Sequence, residues 1–567
     1  MFRCSFFIYL LLVGCASQIK KEQTQLRTNF SQKKYKASLK LLDNSALKKD
    51  SNSKLLQLME RGRLQLAIGE NLNASKTFEE AIQVSEELYG KSLSQELKNT
   101  FTKRYEKYFG EYFERSMIYY YQTLSYLQLS QTNCYKLKKK NICQTPQELN
   151  LWKSRARATL LLWDSTLQGM AREENYDTLF VKDIWNRIFA ALVHEYIGDS
   201  QDLSIALNLY KEARDSITKV GMTYKIYNKK FIELSNEIRK LNYNVDNLEW
   251  KSFIENNLAL QDIINFLNEK MVQILKRKNQ LYPQEIQRLG LPREMVKNAK
   301  KDQPNIYLIV EEGLITPKID KTISYNLRTA IDEMEDGTSK NLIRGIGVPI
   351  LTYFALGPLG LGHYSQSGNT SIYVHHNAGN VLVEEVGIEY GISTIEPSQD
   401  PKNLELKIES LNENSENQIL NLPIAGSLSD LAYQNLVEKN SKEGLKNGSR
   451  IAIKYAVAIL AAFSTYNSLR GSRGENEFWA KTAALAQFVA STKVIRETER
   501  PDVRFWSTLP SFMRAQSLYL SPGKYKLSIQ KTEQKSQKKL KTKKLMTMEL
   551  TVEEGKRYIF PVILPNL

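Results

Sequence analysis

The sequence predicts an α+β multidomain chain: an all-α helical solenoid followed by a β-rich, sandwich-like part with helical insertions. Three observations carry this reading. From about Gln18 to Lys300 apolar residues recur at three and four, and prolines are few, the periodicity of packed helices. From Pro304 onward β-branched runs alternate with clusters of Gly, Pro and Asn, the texture of strands and turns. The polar stretch Lys300-Lys301-Asp302-Gln303-Pro304 separates the two. At 567 residues, and about 150 per domain, the chain allows two to four domains. With 42% apolar and 25% charged residues, it is not wholly disordered, collagenous or a polytopic membrane protein.

The first element is a targeting segment. Met1-Phe2-Arg3 carries one positive charge, and residues 6–13 are apolar. That run is shorter than the about 20 residues a bilayer-spanning helix needs. Leu12-Val13-Gly14-Cys15 follows and resembles the lipobox of bacterial lipoproteins. The resemblance implies a signal peptide over 1–14, a diacylglycerol thioether on Cys15 and an acylated amino terminus over 15–17. Ala16, where Asp would retain the chain, implies sorting to the outer membrane, facing the periplasm. The alternative is an ordinary secretory signal with a chance cysteine. Acyl chains contribute about 0.8 kcal/mol per buried CH₂, so several hold far more strongly than one. Ile451–Phe463 is apolar, but it is short and interrupted by Lys454.

Residues 18–300 form the helical part. Gly62, Gly69, Ala74, Phe78 and Ala81 follow a small-small-small-aromatic-small spacing. Ala206, Tyr210 and Ala213 repeat its second half, after Ala190, Ala191 and Gly198. These positions resemble tetratricopeptide (TPR) repeats, in which small residues sit where two helices touch. The motif's tryptophan and helix-ending proline are not in place, and a generic helical bundle is the alternative. Cys134 and Cys143 flank Lys138-Lys139-Lys140, between a helix ending near Leu129 and one starting near Pro146. In an oxidising compartment they read as a disulfide, contributing about 2.7 kcal/mol on the loop-entropy model. A metal site would lack half its ligands, because no histidine is near. Phe101, Tyr105, Tyr108, Tyr112, Ser116, Tyr119, Thr123 and Tyr126 step by three or four. That makes one helical face, used for packing between helices or for gripping an extended peptide.

The β-rich part covers 304–567, with a helical insertion at about 428–495. Strands are expected at Ile306–Val310, Leu404–Ser410, Leu518–Gly523, Tyr525–Gln530, Met546–Val552 and Tyr558–Ile563. Ser371–His376 and Val381–Tyr390 read as a hairpin, and Leu428–Lys439, Ser449–Ser468 and Glu477–Thr492 as helices. Gly345–Gly362 reads as a buried apolar loop or a segment that touches membrane or a partner. Lys531–Lys544 reads as a long solvated hairpin tip, with contact to anionic lipid or polysaccharide as the alternative.

Enzyme motifs fail one at a time. His194-Glu195 opens like a zinc-protease helix, but Gly198 replaces the second histidine. Gly90-Lys91-Ser92 lacks the first glycine of a phosphate loop. His375 and His376 would point to opposite faces of a strand and chelate one metal poorly. Accordingly no catalytic residue, metal or cofactor is expected, and no nucleic acid partner.

The segment Glu499–Pro510 (ERPDVRFWSTLP) and then Leu518–Tyr525 (LYLSPGKY) carry a closing signature, and Val310–Lys318 (VEEGLITPK) an opening one. Together they resemble an uncharacterised family of bacterial TPR-containing outer-membrane lipoproteins. Ser507 stands where that pattern carries a basic residue. If 501–506 is extended, Asp502, Arg504 and Trp506 share one face and Val503 and Phe505 the other. Arg504 then pairs with Asp502 or stacks near Trp506, and Pro510 and Pro522-Gly523 fix turns on either side. The function expected is a lipid-anchored scaffold that docks protein partners on the solenoid's extended surface during envelope assembly or maintenance. The alternatives are a peptidoglycan- or polysaccharide-binding factor, or a hydrolase with a cryptic site. Losing residues 1–14 removes Arg3 alone among charges, so the formal charge of +17 becomes +16.

Overall fold

The computed structural model describes residues 18–95, 107–137, 140–173, 183–220, 224–225, 257–298, 303–326, 387–411, 417–436, 477–498, 501–534 and 540–567, with scattered positions between 458 and 469. Helices dominate the first part: α1 (18–31), α2 (Tyr35–Asp43), α3 (Ala46–Lys49), α4 (Lys54–Ala67), α5 (Asn71–Gln95), α6 (Tyr112–Gln131), α7 (Pro146–Glu173), α8 (Ile184–Ile197), α9 (Ser200–Val220), α10 (Leu258–Arg277), α11 (Pro283–Leu289) and α12 (Arg293–Asn298). Neighbours along the chain pack on each other, α4 through α7 in turn, then α8, α9 and α10. Gly69 and Gly198 end α4 and α8 with φ of +81° and +74°, so each helix reverses within a tight turn. Between α6 and α7 lies a small hairpin of β1 (Cys134–Leu137) and β2 (Lys140–Cys143). Cys134 and Cys143 face each other across it and form a disulfide.

The second part carries β3 (Ile306–Glu312), β4 (Ile319–Asn326), β5 (Gly387–Thr394), β6 (Leu404–Ser410), β7 (Gln418–Asn421), β8 (Ile424–Ser427), β9 (Phe512–Leu518), β10 (Gly523–Gln534), β11 (Leu540–Val552) and β12 (Tyr558–Leu564). Helices α13 (428–436) and α14 (Glu477–Thr498) intervene. One sheet has the order β12-β3-β9-β8, with β3 parallel to β12 and antiparallel to β9. A second has the order β11-β10-β6-β7, and among the described residues β4 and β5 form a two-stranded sheet.

Strand β3 is buried along its whole length, and its alternation builds three layers. Ile306, Leu308 and Val310 join Leu404, Leu406, Ile408, Leu527 and Ile529 in a core between the two four-stranded sheets. Tyr307 and Ile309 point the other way, into a core that holds Phe78, Tyr120, Trp185, Ile188 and Leu267 of the helices. That second core runs without interruption from Ile19 to Ile559, across residue 300.

The seat for the first sheet is the face made by α4, α6, α8 and α10. Arg63 of α4 and Tyr120 of α6 bond Glu311. Gln128 and Gln131 of α6 donate to the Ile559 carbonyl. Tyr307 donates to the Glu195 carbonyl on α8, and Lys270 of α10 to Ser517 of β9 at 2.6 Å. Helix α6 is therefore enclosed by α5, α7 and the sheet, and its polar groups turn inward: Thr123 and Ser125 each bond a carbonyl one turn back, at 2.8 Å.

Several expectations change. Gly387–Thr394 pairs with Ile319–Asn326, a pairing the sequence does not announce, and of the expected hairpin of Ser371–His376 with Val381–Tyr390 all but 387–390 lies outside the described residues. The lysine run does end a hairpin, with Lys543 and Lys544 exposed, but it is laddered rather than open: β10 and β11 pair as far as Gln534 and Leu540, past a register shift at Ile529/Gln530. The β9 strand starts at Phe512, before the expected Leu518. The aromatic face is broken: α6 begins at Tyr112, so Tyr108 precedes it, and Phe101 and Tyr105 lie outside the described residues. Gly345–Gly362, most of Ser449–Ser468, Cys15, His363, His375 and His376 also lie outside them. Gly90-Lys91-Ser92 is inside α5, not in a phosphate-cradling loop.

The repeat-like residues meet as pairs. A Cβ on Gly62 would stand 2.7 Å from the Phe78 ring, and Ala74, Phe78, Ala81, Ala206, Tyr210 and Ala213 are all fully buried. Gly62→Ala gains about 1 kcal/mol of helix propensity but overpacks the Phe78 contact, a cost of about 1–3 kcal/mol. Urea denaturation should show a net loss of about 1 kcal/mol for Gly62→Ala. In a Phe78→Leu background the same substitution should become neutral or stabilising.

Candidate functional site

The two signature stretches meet beside α1. Ser511 donates its N–H to the Glu312 carbonyl at 3.0 Å, and Ile315 donates to that of Leu509 at 2.8 Å. Residues 501–511 thereby lie across α1, α4 and α6. Arg504 grips both carboxylate oxygens of Asp502 at 2.7–3.1 Å, reaches Ser53 Oγ at 2.9 Å and stacks over Tyr108 at 5.3 Å. It does not stack on Trp506, as the extended reading allowed, because Trp506 sinks into the core. Its indole lies 5.4 Å from the Tyr121 ring and 6.3 Å from that of Phe78. Pro510 is buried at the end of this segment, whereas Pro522 is exposed and Gly523 opens β10.

Two glutamates hold the segment. Glu60 of α4 accepts from the Ser507 N–H at 2.6 Å, Ser507 Oγ at 2.7 Å and Thr508 Oγ1 at 2.6 Å. Glu114 of α6 accepts from the Trp506 N–H at 2.7 Å, Tyr108 Oη at 2.5 Å and the Glu111 N–H at 2.7 Å. The cation here is Lys318 of the opening signature, 2.7 Å from Glu111. A buried, twice-donating Ser507 fits this corner without a basic side chain. Burial pushes the Glu60 carboxyl up to about 7, against the hydrogen bonds from Thr508 and Ser507 that lower it. Burial also raises Glu114, opposed first by Lys318.

Beyond this seam a cavity of about 590 Å³ opens between α1 and both signatures. Lys20, Gln23, Thr24, Arg27, Thr28 and Ser31 form one wall, at i, i+3, i+4, i+7, i+8 and i+11 along α1. Val503 and Phe505, the opposite face from Asp502 and Arg504, line another. Ile19, Leu26 and Phe30 on the other side of α1 enter the core. Gln23 donates to the Phe505 carbonyl at 2.8 Å, and Arg27 to the carbonyls of Ser507 and Leu314, each at 3.2 Å.

No family model matches the chain, and no curated protein and no solved structure is similar to it.

A second polar cluster lies under α8. His194 Nδ1 is 2.7 Å from Asp202, which also pairs with Arg157. Next to it, Glu195 is fully buried with Lys270 at 2.9 Å, Arg277 at 2.6 Å and the Tyr210 hydroxyl at 3.0 Å. The zinc-protease-like dipeptide is thus part of two internal ion clusters, and no metal-binding group occurs among the described residues. Sequence reasoning missed Glu60, Glu114, Arg27 and Lys402. An acid inside an otherwise apolar helical stripe, as at Glu60 between Leu58, Met59 and Leu64, is the signal that could have found the first.

Glu60 gives a pH signature. Its native pKa lies above the ordinary 4.5, so between about 4.5 and 7 the folded state holds more protons than the unfolded one. Stability is full below 4.5 and falls as pH rises through 7, by about 3 kcal/mol at most from this group. Glu114, Glu311 and Asp430 are raised by burial as well and add in the same direction. Chemical denaturation should give a more stable chain at pH 5 than at pH 7.5, and Glu60→Gln should flatten part of that slope. A slope unchanged in the variant would reject the assignment.

Proposed function

We propose that the chain is an outer-membrane-anchored, periplasm-facing lipoprotein, lipidated on Cys15 after loss of residues 1–14. In this reading it is a TPR-like scaffold that docks protein partners during cell-envelope assembly or maintenance, and it is kin to the TPR-containing lipoprotein family that its signatures resemble. Residues 18–300 are the repeat part and 304–567 the sandwich-like part. The helical pairing at Gly62–Phe78 supports the first and the shared core of the two sheets the second. No catalytic role, cofactor or nucleic acid enters the reading.

One observation carries it. The sheet already occupies the face of α4, α6, α8 and α10, so a partner meets the outer helices. There α7 exposes Leu151, Leu161 and Leu162, with Leu161 at 71%. Apolar side chains spaced along an outward helix suit a protein partner. A second reading, binding of anionic cell-wall polymer or lipid, is favoured by the β10–β11 register, which sets Lys531 opposite Lys543 beside Lys541 and Lys544. Like charges facing each other on a ladder weaken it, so a bound polyanion would relieve that cost.

Crosslinking in intact membranes, then purification, tests both. The wild-type chain should retain one stoichiometric partner, and Leu161→Glu with Leu162→Glu should reduce it at least tenfold with the melting temperature unchanged. Cys15→Ser reports whether the anchor is needed. No stoichiometric partner from any form would overturn the scaffold. Pelleting with peptidoglycan, lost on neutralising Lys541, Lys543 and Lys544, would favour the polymer.

A further inference from the structure

We propose that the cavity between α1 and the two signature turns is a binding site for a phosphate-bearing anion, received by Arg27 and Lys402. The side of a surface helix that faces the body of a protein is ordinarily apolar. Here the cavity-facing stripe of α1 is Lys20, Gln23, Thr24, Arg27, Thr28 and Ser31, polar throughout, while the apolar stripe sits beside it in the core. A space of about 590 Å³ walled this way is sized for a small polar ligand or a headgroup.

Both cations are held in place. Arg27 is fixed by one carbonyl from each signature turn, Ser507 and Leu314. Among the described residues it makes no ion pair within 4 Å. The acid it senses is Glu60, buried behind Ser507 and itself pushed up to about 7. Burial, the larger influence, pulls the Arg27 guanidinium down to about 10. A desolvated guanidinium bonded only to neutral carbonyls is an incompletely answered charge, and an arriving anion completes it. Lys402 is fixed through its backbone. Its N–H donates to Glu312 at 3.1 Å and its carbonyl accepts from Arg514. Its ammonium makes no ion pair among the described residues.

The acids in the wall do not cancel these charges. Glu312 is committed to Arg514 at 2.7 Å. Asp400 is 92% exposed and turned toward Lys225 at 3.7 Å. Lys318 is spent on Glu111, and Lys20 at the mouth adds a further exposed cation. The hydroxyls of Thr24 and Thr28 donate to carbonyls of their own helix, each at 2.9 Å, so the positive charge left to the site comes from Arg27, Lys402 and Lys20 alone among the described wall residues. Arg is the residue suited to a planar, two-point grip on phosphate, with Lys as the point charge beside it.

The anion is either free or carried on a lipid. The lipid source rests on the anchoring reading, since α1 begins three residues after Cys15; the free source does not. The test uses the purified chain, with melting temperature as readout. The probes are inorganic phosphate, dihexanoyl phosphatidylglycerol and, as a phosphate-free amphiphile, octyl glucoside at equal concentration. Phosphate and the phospholipid should each raise the melting temperature by several degrees, and octyl glucoside should not. A shift with the phospholipid alone assigns a headgroup, and a shift with phosphate alone a soluble anion. Lys402→Gln, whose backbone bonds survive, should weaken either response at least fivefold. Arg27→Lys should weaken it as well while keeping the fold. No shift with either phosphate probe, or an equal shift in Lys402→Gln, would overturn the site, whatever the lipid state of Cys15.

Discussion

Everything in this fold hangs on the end of one strand. Glu311 and Glu312 are successive residues of β3, so their carboxylates leave on opposite faces. Glu311 enters the helical layer, where Arg63 and the Tyr120 hydroxyl meet it. Arg63 is itself held between the rings of Phe30 and Tyr121, at 5.2 and 4.7 Å. Glu312 turns toward the other sheet and meets Arg514 and the Lys402 N–H. Taking each ion out of water costs several kcal/mol, and close, well-aligned partners must return it. The cost is met only when α4, α6, β3, β9 and the 399–402 segment are all in place. The next residue, Gly313, has φ of +66° and swings the chain into the turn that carries Leu314 and Lys318. A wrong pairing of layers would leave a buried carboxylate alone, at about 3–5 kcal/mol.

This arrangement decides which face of the helices stays open. In a free helical array the inner face is the natural groove. Here Tyr307, Glu311 and the Ile559 backbone occupy it, hydrogen-bonded to α8, to α4 and α6, and to α6. Helical layer and sheet therefore form one core, and a partner approaching that face would have to displace the chain's own strands. Among the described residues, open surface remains on the outer helices, at the end of the β10–β11 ladder and at the cavity beside α1.

Local pattern was legible in the sequence, and long-range pairing was not. The strand over Leu404–Ser410 was readable from alternation alone, because β6 has one face on a core and one toward solvent. The contact at Gly62 was readable because only a missing side chain lets the Phe78 ring approach. The two faces of Asp502–Trp506 were also legible, but their destinations were not. Nothing in the sequence says that Tyr108, 396 positions earlier in numbering, supplies the ring under Arg504. The β4–β5 pairing was hidden for the same reason, since it joins Asn326 to Gly387, 61 positions apart. Glu60 and Glu114 were hidden because an acid in a helix ordinarily marks the solvated side. Here each is buried to catch backbone N–H groups of a loop that has no strand partner to satisfy them.

The charge of the chain sorts by the same physics. Arginines carry several of the buried pairs, Arg63 with Glu311, Arg514 with Glu312 and Arg277 with Glu195, and two buried lysines join them, Lys270 on Glu195 and Lys318 on Glu111. Arg504 grips both oxygens of Asp502, whereas Arg514 spends one nitrogen on Glu312 and its other two on the carbonyls of Leu422 and Lys402. Most lysines stay at the surface, where their charge costs little. Arg557 follows a related logic: it meets the carbonyls of Tyr196 and Ile197, where the end of α8 concentrates negative dipole. Among the described residues Arg27 pairs with no carboxylate and caps no helix end. It is drawn out of water by α1 and held by two turns, each from a different signature, and Glu60 offsets only part of that burial. A charge kept in that state is compensated from outside the chain, and the cavity beside it is the route by which compensation arrives.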